Sequence, residues 1–262
     1  MPVRPAPRDH GLSSDGAHIV SWISNVPTCT RFLIVGAIVF SIASGLKIVH
    51  AHYFAFYWTH IWTKFQIWRI LTSVLTYQLS FHGLLCVIML YQYSNELERH
   101  EYAGRTADYA WFLIFCCGVM FVGHWWLSWT FFFSEGLLMG VTTLWAIHRP
   151  NTIVKFMFAF QFPAKYLPYV LMGIEYLFIR VSFPFDMAYG WGATHLYYYL
   201  AVDLPSRGGI NYIPTPQFVY KMLGQVHRAS NRYGSSGVAT SSNPIHQMPG
   251  GGHFWGSGRR LG

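Results

Sequence analysis

A histidine within reach of a hydroxyl inside a membrane bundle is the arrangement for peptide-bond hydrolysis, because the imidazole takes the proton that otherwise leaves a serine a poor nucleophile. This chain has the histidine, His195, in its last apolar run, without the serine. Its G-x-S-G string, Gly234-Ser235-Ser236-Gly237, lies in a Gly- and Ser-rich tail where no scaffold could hold an oxyanion hole, and it reads as linker. The fourth apolar run reads Glu135-Gly-Leu-Leu-Met-Gly140-Val-Thr-Thr143, with no serine between Gly136 and His148. Thr142 or Thr143 without an N-terminal amine is a weak nucleophile. His195 is therefore expected to make interhelical hydrogen bonds, as polar groups in bundles do.

Glu175, midway along the fifth apolar run, is costly in hydrocarbon and must face a hydrated cavity or a partner, or be protonated, unless a short helix leaves it near enough to the interface to snorkel. His100-Glu101 lacks the second histidine of a zinc-protease motif, and Cys29, Cys86, Cys116 and Cys117 form no C-x-x-C pair, so neither metal nor cofactor is expected. Gly136 and Gly140, and Gly190 and Thr194, have the four-residue spacing that lets helix backbones approach closely. Among the last residues stands Phe254-Trp255-Gly256-Ser257-Gly258-Arg259-Arg260-Leu261. Two apolar anchors there flank a flexible Gly-x-Gly on a tether, the pattern of a linear peptide ligand.

These groups must be positioned by elements suited to a membrane. Of 262 residues, 53% are hydrophobic and 19% aromatic, and only 11% are charged, against roughly a quarter in soluble domains. The long uncharged stretches Ile70 to Asn95 and Tyr109 to Ser134 each exceed the about 20 helical residues that cross a bilayer. Phe32 to Val49, Gly136 to His148, Tyr166 to Phe183 and Met187 to Val202 are shorter or carry one charge, so several are expected to lie tilted or in a thinned membrane. Six spans with both termini in the cytosol put 14 of the 18 basic residues on that side, leaving Lys47, Lys64, Arg69 and Arg180 opposite. The net charge of +8 is thus topological; no basic run is dense enough to track nucleic acid. The aromatic stretch His50 to Phe65 is expected in the interface, and the polar chain from Asp203 onward is expected to be flexible.

Together these residues resemble the derlins, non-catalytic relatives of rhomboid proteases in the endoplasmic reticulum membrane. The resemblance runs from about Trp22 to Gly224 and over the last dozen residues. It includes Pro27, Thr30-Arg31, Phe65-Gln66-Ile67-Trp68-Arg69, Leu90-Tyr91-Gln92-Tyr93-Ser94, Leu97-Glu98, Gly104-Arg105-Thr106-Ala107-Asp108, Tyr166-Leu167-Pro168, His195-Leu196-Tyr197-Tyr198 and Thr215-Pro216-Gln217-Phe218. The resemblance implies a role in endoplasmic-reticulum-associated degradation and in the unfolded protein response. Misfolded proteins would move to the cytosol past a lateral gate in thinned membrane, be ubiquitylated by a membrane ligase complex, and be extracted by the valosin-containing AAA ATPase segregase. The segregase would be recruited through Phe254, Trp255, Gly256, Gly258 and Leu261. It also implies that Trp68 and Arg69 anchor a lumenal loop and that Gly104, Arg105 and Asp108 form a cytosolic loop motif. Gly136, Gly140, Glu175, Gly190, Thr194 and His195 would build the helix packing and gate. Two positions depart from the family pattern: Thr194 replaces the second glycine of a Gly-x-x-x-Gly, and Glu175 stands where an uncharged polar residue is usual.

The expected architecture is thus an all-α membrane protein, a six-transmembrane-helix rhomboid-like bundle with cytosolic termini. Residues 1–31 form a cytosolic segment with a short interfacial helix, 32–202 the membrane domain and 203–262 the flexible cytosolic tail, with homo- or hetero-oligomers open. The competing readings are an active intramembrane protease working through a threonine or serine and His195, and a solute channel or transporter supported by Glu175.

Overall fold

The computed structural model describes residues 25–127, 131–156, 160–179, 183–208 and 212–224. It is mostly helical. Helix α1 (Thr28–Gly45) starts after Pro27, whose ring pre-sets the backbone at a helix entry. Then come a loop containing the short α2 (Trp58–Lys64), followed by α3 (Trp68–Leu75), α4 (Phe81–Glu96) and α5 (Thr106–Leu127). The second half holds α6 (Ser134–His148), a hairpin of β1 (Ile153–Phe156) and β2 (Phe160–Pro163), α7 (Leu167–Ile174), α8 (Phe185–Tyr198) and α9 (Gln217–Met222). Helices α4, α7 and α8 run on into single π turns, Leu97–Glu101, Glu175–Ile179 and Tyr199–Asp203.

The centre is α6. It packs against α3, α4, α5, α7 and α8, and residues Gly136 through Ala146 are all buried. Around it an apolar exterior encloses a largely apolar core that also holds buried polar groups. Phe32, Val39, Leu84, Val122 and Leu177 point outward and are exposed, whereas Thr30, Ser94, Glu98, Thr142, Glu175 and Thr194 are buried. An apolar exterior over a polar-seamed interior is the arrangement that hydrocarbon solvent selects. Thr28–Gly45 and Thr106–Trp125 are long and apolar enough to cross a membrane.

Several expectations are corrected here. Ile70 to Asn95 is not one helix: the chain breaks over residues 76–80. Tyr77 N–H donates to Ser41 Oγ of α1 (2.9 Å), and Ser80 caps α4 by accepting from Gly83 N–H (3.1 Å). An uncharged run alone cannot reveal such a break, because hydroxyls supply the bonds that end one helix and start the next. Ser134, taken as the end of a span, is the first residue of α6 instead. The chain is also not wholly α. Segments rich in β-branched and aromatic residues, Ile153–Phe156 and Phe160–Pro163, form an antiparallel ladder pairing Ile153 with Pro163 and Val154 with Phe162. Order also extends past Asp203, since α9 packs on α5 with Val219 buried. In the aromatic loop, Phe56 turns inward and stacks on Phe121 at 4.7 Å, while Trp62 and Phe65 stay exposed.

Candidate functional site

The seam between α6 and α8 is backbone against backbone. A Cβ at Gly190 would lie 1.9 Å from Gly136 O, and one at Gly136 would lie 2.6 Å from Asp186 O, so only glycine fits either place. One turn on, the position without glycine is filled by Thr194. Its buried Oγ1 lies 3.0 Å from both Gly140 O on α6 and Gly190 O on α8, and its single proton is shared between the two carbonyls. Gly192 meets nothing within 4 Å, so Thr194 closes the seam. A hydroxyl on the seam glues as glycine does, because its polar group is satisfied across the contact.

Among the described residues, His195 makes no hydrogen bond across the bundle. Being the next residue after Thr194, it is turned about 100° away around the helix. It is exposed, its Nδ1–H donates to Trp191 O one turn back (3.0 Å), and its ring lies 4.4 Å from that of Trp191. Thr143 Oγ1 donates to Met139 O (2.7 Å), and Thr142 is fully buried within α6. Among the described residues, no hydrogen bond joins His195 to a hydroxyl.

Glu175, in the first position of its π turn, is 1% exposed, and its Oε2 lies 3.3 Å from His82 Nε2 of α4. The same nitrogen is 3.7 Å from Glu135 Oε1 of α6 and 3.4 Å from Cys86 Sγ. One ligand atom from each of His82, Glu135 and Glu175 lies within 4.8 Å of the others. Sequence reading found Glu175 alone; the available signals were a first-turn carboxylate at Glu135 and the i, i+4 pair His82 and Cys86.

At the opposite end of α4, Glu98 is 3% exposed and caps α1. Its carboxylate accepts from Cys29 N–H (3.0 Å), Thr30 N–H (2.8 Å) and Thr30 Oγ1–H (2.8 Å), and a hydroxyl chain continues through Ser94 to Tyr109, each link 2.8 Å. First-turn N–H groups have no partner within their own helix, and a carboxylate there meets both that need and the helix dipole. Close by, Glu96 pairs with Arg149 after α6 and accepts from Trp145 Nε1–H (2.9 Å).

The loop before α5 docks the segment that follows α8. Gly104 takes φ +72°, which a side chain resists, and turns the chain into Arg105. Asp108 Oδ1 accepts from Thr215 Oγ1–H (2.7 Å) and Tyr220 O–H (2.6 Å), with Arg105 Nη1 3.9 Å from Oδ2. Burial, helped by the bond to Asp108, pushes the Tyr220 hydroxyl up from 10.0 to about 12. The docked state therefore holds this proton more tightly than the undocked chain. Its stabilisation is complete below pH 10 and is lost as pH rises through about 12. The tyrosinate absorbance titration of wild type minus Tyr220→Phe is expected to show one late step near pH 12, moving toward 10 in Asp108→Asn.

In the first turn of α3, Arg69 is 1% exposed. Its guanidinium donates to Gln66 Oε1 (2.6 Å), His52 O (2.7 Å) and Ala55 O (2.7 Å), tying the aromatic stretch to α3. Trp68 faces outward and is 55% exposed. The terminal element with Phe254, Trp255, Gly256, Gly258 and Leu261 lies outside the described residues.

Residues 26–217 match the model of the Der1-like family. The chain is 32% identical to Derlin-1 of Homo sapiens over 266 residues, covering 93% of this chain and 98% of that one. It is 30% identical to Derlin-1 of Caenorhabditis elegans over 243 residues (88% and 95%), and 28% identical to Derlin-2.2 of Zea mays over 212 residues (77% and 84%).

Proposed function

The chain belongs to the Der1-like family of membrane proteins, the derlins, and on that premise we propose that it is a non-catalytic component of endoplasmic-reticulum-associated degradation. In this reading it lies in the endoplasmic reticulum membrane with six spans and both termini in the cytosol, residues 32–202 forming the membrane domain and 203–262 the tail. Misfolded proteins leave through a lateral opening and a thinned bilayer, a membrane ubiquitin ligase complex marks them, and ATP hydrolysis in the valosin-containing segregase drives extraction.

The observation that carries this reading is the length of the central helix. With 15 residues, α6 spans about 22 Å, against a hydrocarbon thickness of about 30 Å. Its ends are polar: Glu135 stands in the first turn, and Arg149 follows the last and is held by Glu96 and by Glu101 (3.5 Å). Two charged ends this close require the bilayer to thin or water to enter. Either lowers the barrier for polypeptide, whose unpaired backbone groups cost several kcal/mol each in hydrocarbon. The buried Thr142 and the outward His195 favour a path over a protease.

The test is binding of the full chain in nanodiscs to the hexameric segregase. Phe254→Ala and Leu261→Ala are each expected to weaken it by on the order of 1.5 to 3 kcal/mol, the loss of one fully buried apolar anchor. Binding indifferent to both anchors would sink recruitment through this tail. A misfolded membrane client whose half-life is unchanged when the protein is removed from cells would sink the degradation role.

A further inference from the structure

A buried carboxylate beside a second carboxylate is unfavourable in a low-dielectric bundle unless positive charge sits between them. Glu175 and Glu135 are such a pair, with the His82 imidazole 3.3 Å from one and 3.7 Å from the other. We propose that His82, Glu135 and Glu175 form a binding site for a divalent transition-metal ion of the Zn²⁺ type. Tetrahedral Zn²⁺ with bonds of about 2.0–2.1 Å separates its ligand atoms by about 3.4 Å. The two separations, 3.3 and 3.7 Å, straddle that value, and all three ligand atoms lie within 4.8 Å of one another. Two carboxylates and a neutral imidazole bring two negative charges, which a dication cancels. Nitrogen in a three-ligand set suits Zn²⁺, whereas Ca²⁺ takes six to eight oxygens.

The placement says what the ion would do. Its ligands come from the first turns of α4 and α6 and from the π turn after α7, the kind of helix irregularity that redirects a side chain at functional sites. Both α4 and α7 pack on α6 but, among the described residues, make little direct contact with each other. The ion therefore fastens α4 to the Glu175–Ile179 turn across a seam where, among the described residues, the two elements share little packing, and its loss loosens that seam. The His82 and Glu135 side chains are 33% and 18% exposed while Glu175 is 1%, so an ion enters from one side and is held at depth. None of this depends on the retrotranslocation reading.

The experiment is a Zn²⁺ titration of the chelator-stripped full chain in lipid nanodiscs against a competing chromophoric chelator. One saturable site is expected, weakened at least tenfold in both Glu175→Gln and His82→Gln and unchanged by excess Ca²⁺. Absence of uptake, or uptake equal in wild type and both variants as the tail histidines His227, His246 and His253 would give, overturns the proposal. His82→Cys separates lost ligation from misfolding, since it keeps a ligand of softer kind. It is expected to raise the preference for Cd²⁺ over Zn²⁺ at least tenfold and to add a thiolate-to-metal absorption band beyond that of wild type. A preference unchanged in this variant overturns the placement.

Discussion

Gly190→Ala is expected to cost about 3 kcal/mol or more of folding stability, the upper end for overpacking a close contact. The added Cβ would sit 1.9 Å from Gly136 O, 2.7 Å from Gly136 C and 3.1 Å from Gly136 Cα, all backbone atoms that cannot swing aside. Helices α6 and α8 must separate by more than an ångström. That also breaks the Thr194 bond to Gly140 O, leaving a buried hydroxyl and a carbonyl one partner short. The internal control is two residues along the same helix. Gly192→Ala meets nothing within 4 Å and gains helix propensity, so it should be neutral or stabilising by up to about 1 kcal/mol. Equilibrium unfolding in mixed micelles checks both. Equal stability of the two variants would mean that α6 and α8 do not approach as closely as described.

The second large effect is expected at Glu98. Replacing it with Ala removes three hydrogen bonds to one buried carboxylate and orphans two N–H groups in the first turn of α1. Each buried unsatisfied group costs about 1–3 kcal/mol, so a loss of about 3 kcal/mol, with detachment of α1, is the expected outcome. Glu98→Gln should recover only part, since its amide NH₂ would face a donor. By contrast Glu96→Gln, at a partly exposed pair with Arg149, should cost no more than about 1 kcal/mol. Proteolysis near α1, together with unfolding, separates the cases. A Glu98→Ala protein with α1 as protected as in wild type would remove the capping role.

How far the sequence could be read differs from place to place for identifiable reasons. The family was legible because its motifs are contiguous: Gly104-Arg105-Thr106-Ala107-Asp108 and Thr215-Pro216-Gln217-Phe218 are local strings. That they form one clasp, with Asp108 accepting from Thr215 and Tyr220, was not legible, since the partners are more than a hundred residues apart. The four-residue spacing of Gly136 and Gly140 pointed to close packing, and the partner stripe Gly190 and Thr194 was visible too. The outward position of His195 was not legible, because its residue type says that it can bond but not which helix face meets a neighbour. A step of one residue moves a side chain from the seam to the outside.

By itself the sequence determined that this is a helical membrane chain, because sparse charge and long apolar runs are properties of composition that hydrocarbon solvent enforces on any arrangement. It also determined the family. Tertiary structure alone decided that Ile70 to Asn95 is broken at residues 76–80, where the bond that ends the helix comes from Ser41 on another element. Only tertiary structure gathers His82, Glu135 and Glu175 from three separate segments to within 4.8 Å, and only it brings Glu98 to the start of α1. A ligand set or a cap contributed across helices leaves no spacing in the chain, because its geometry exists only after the helices have packed.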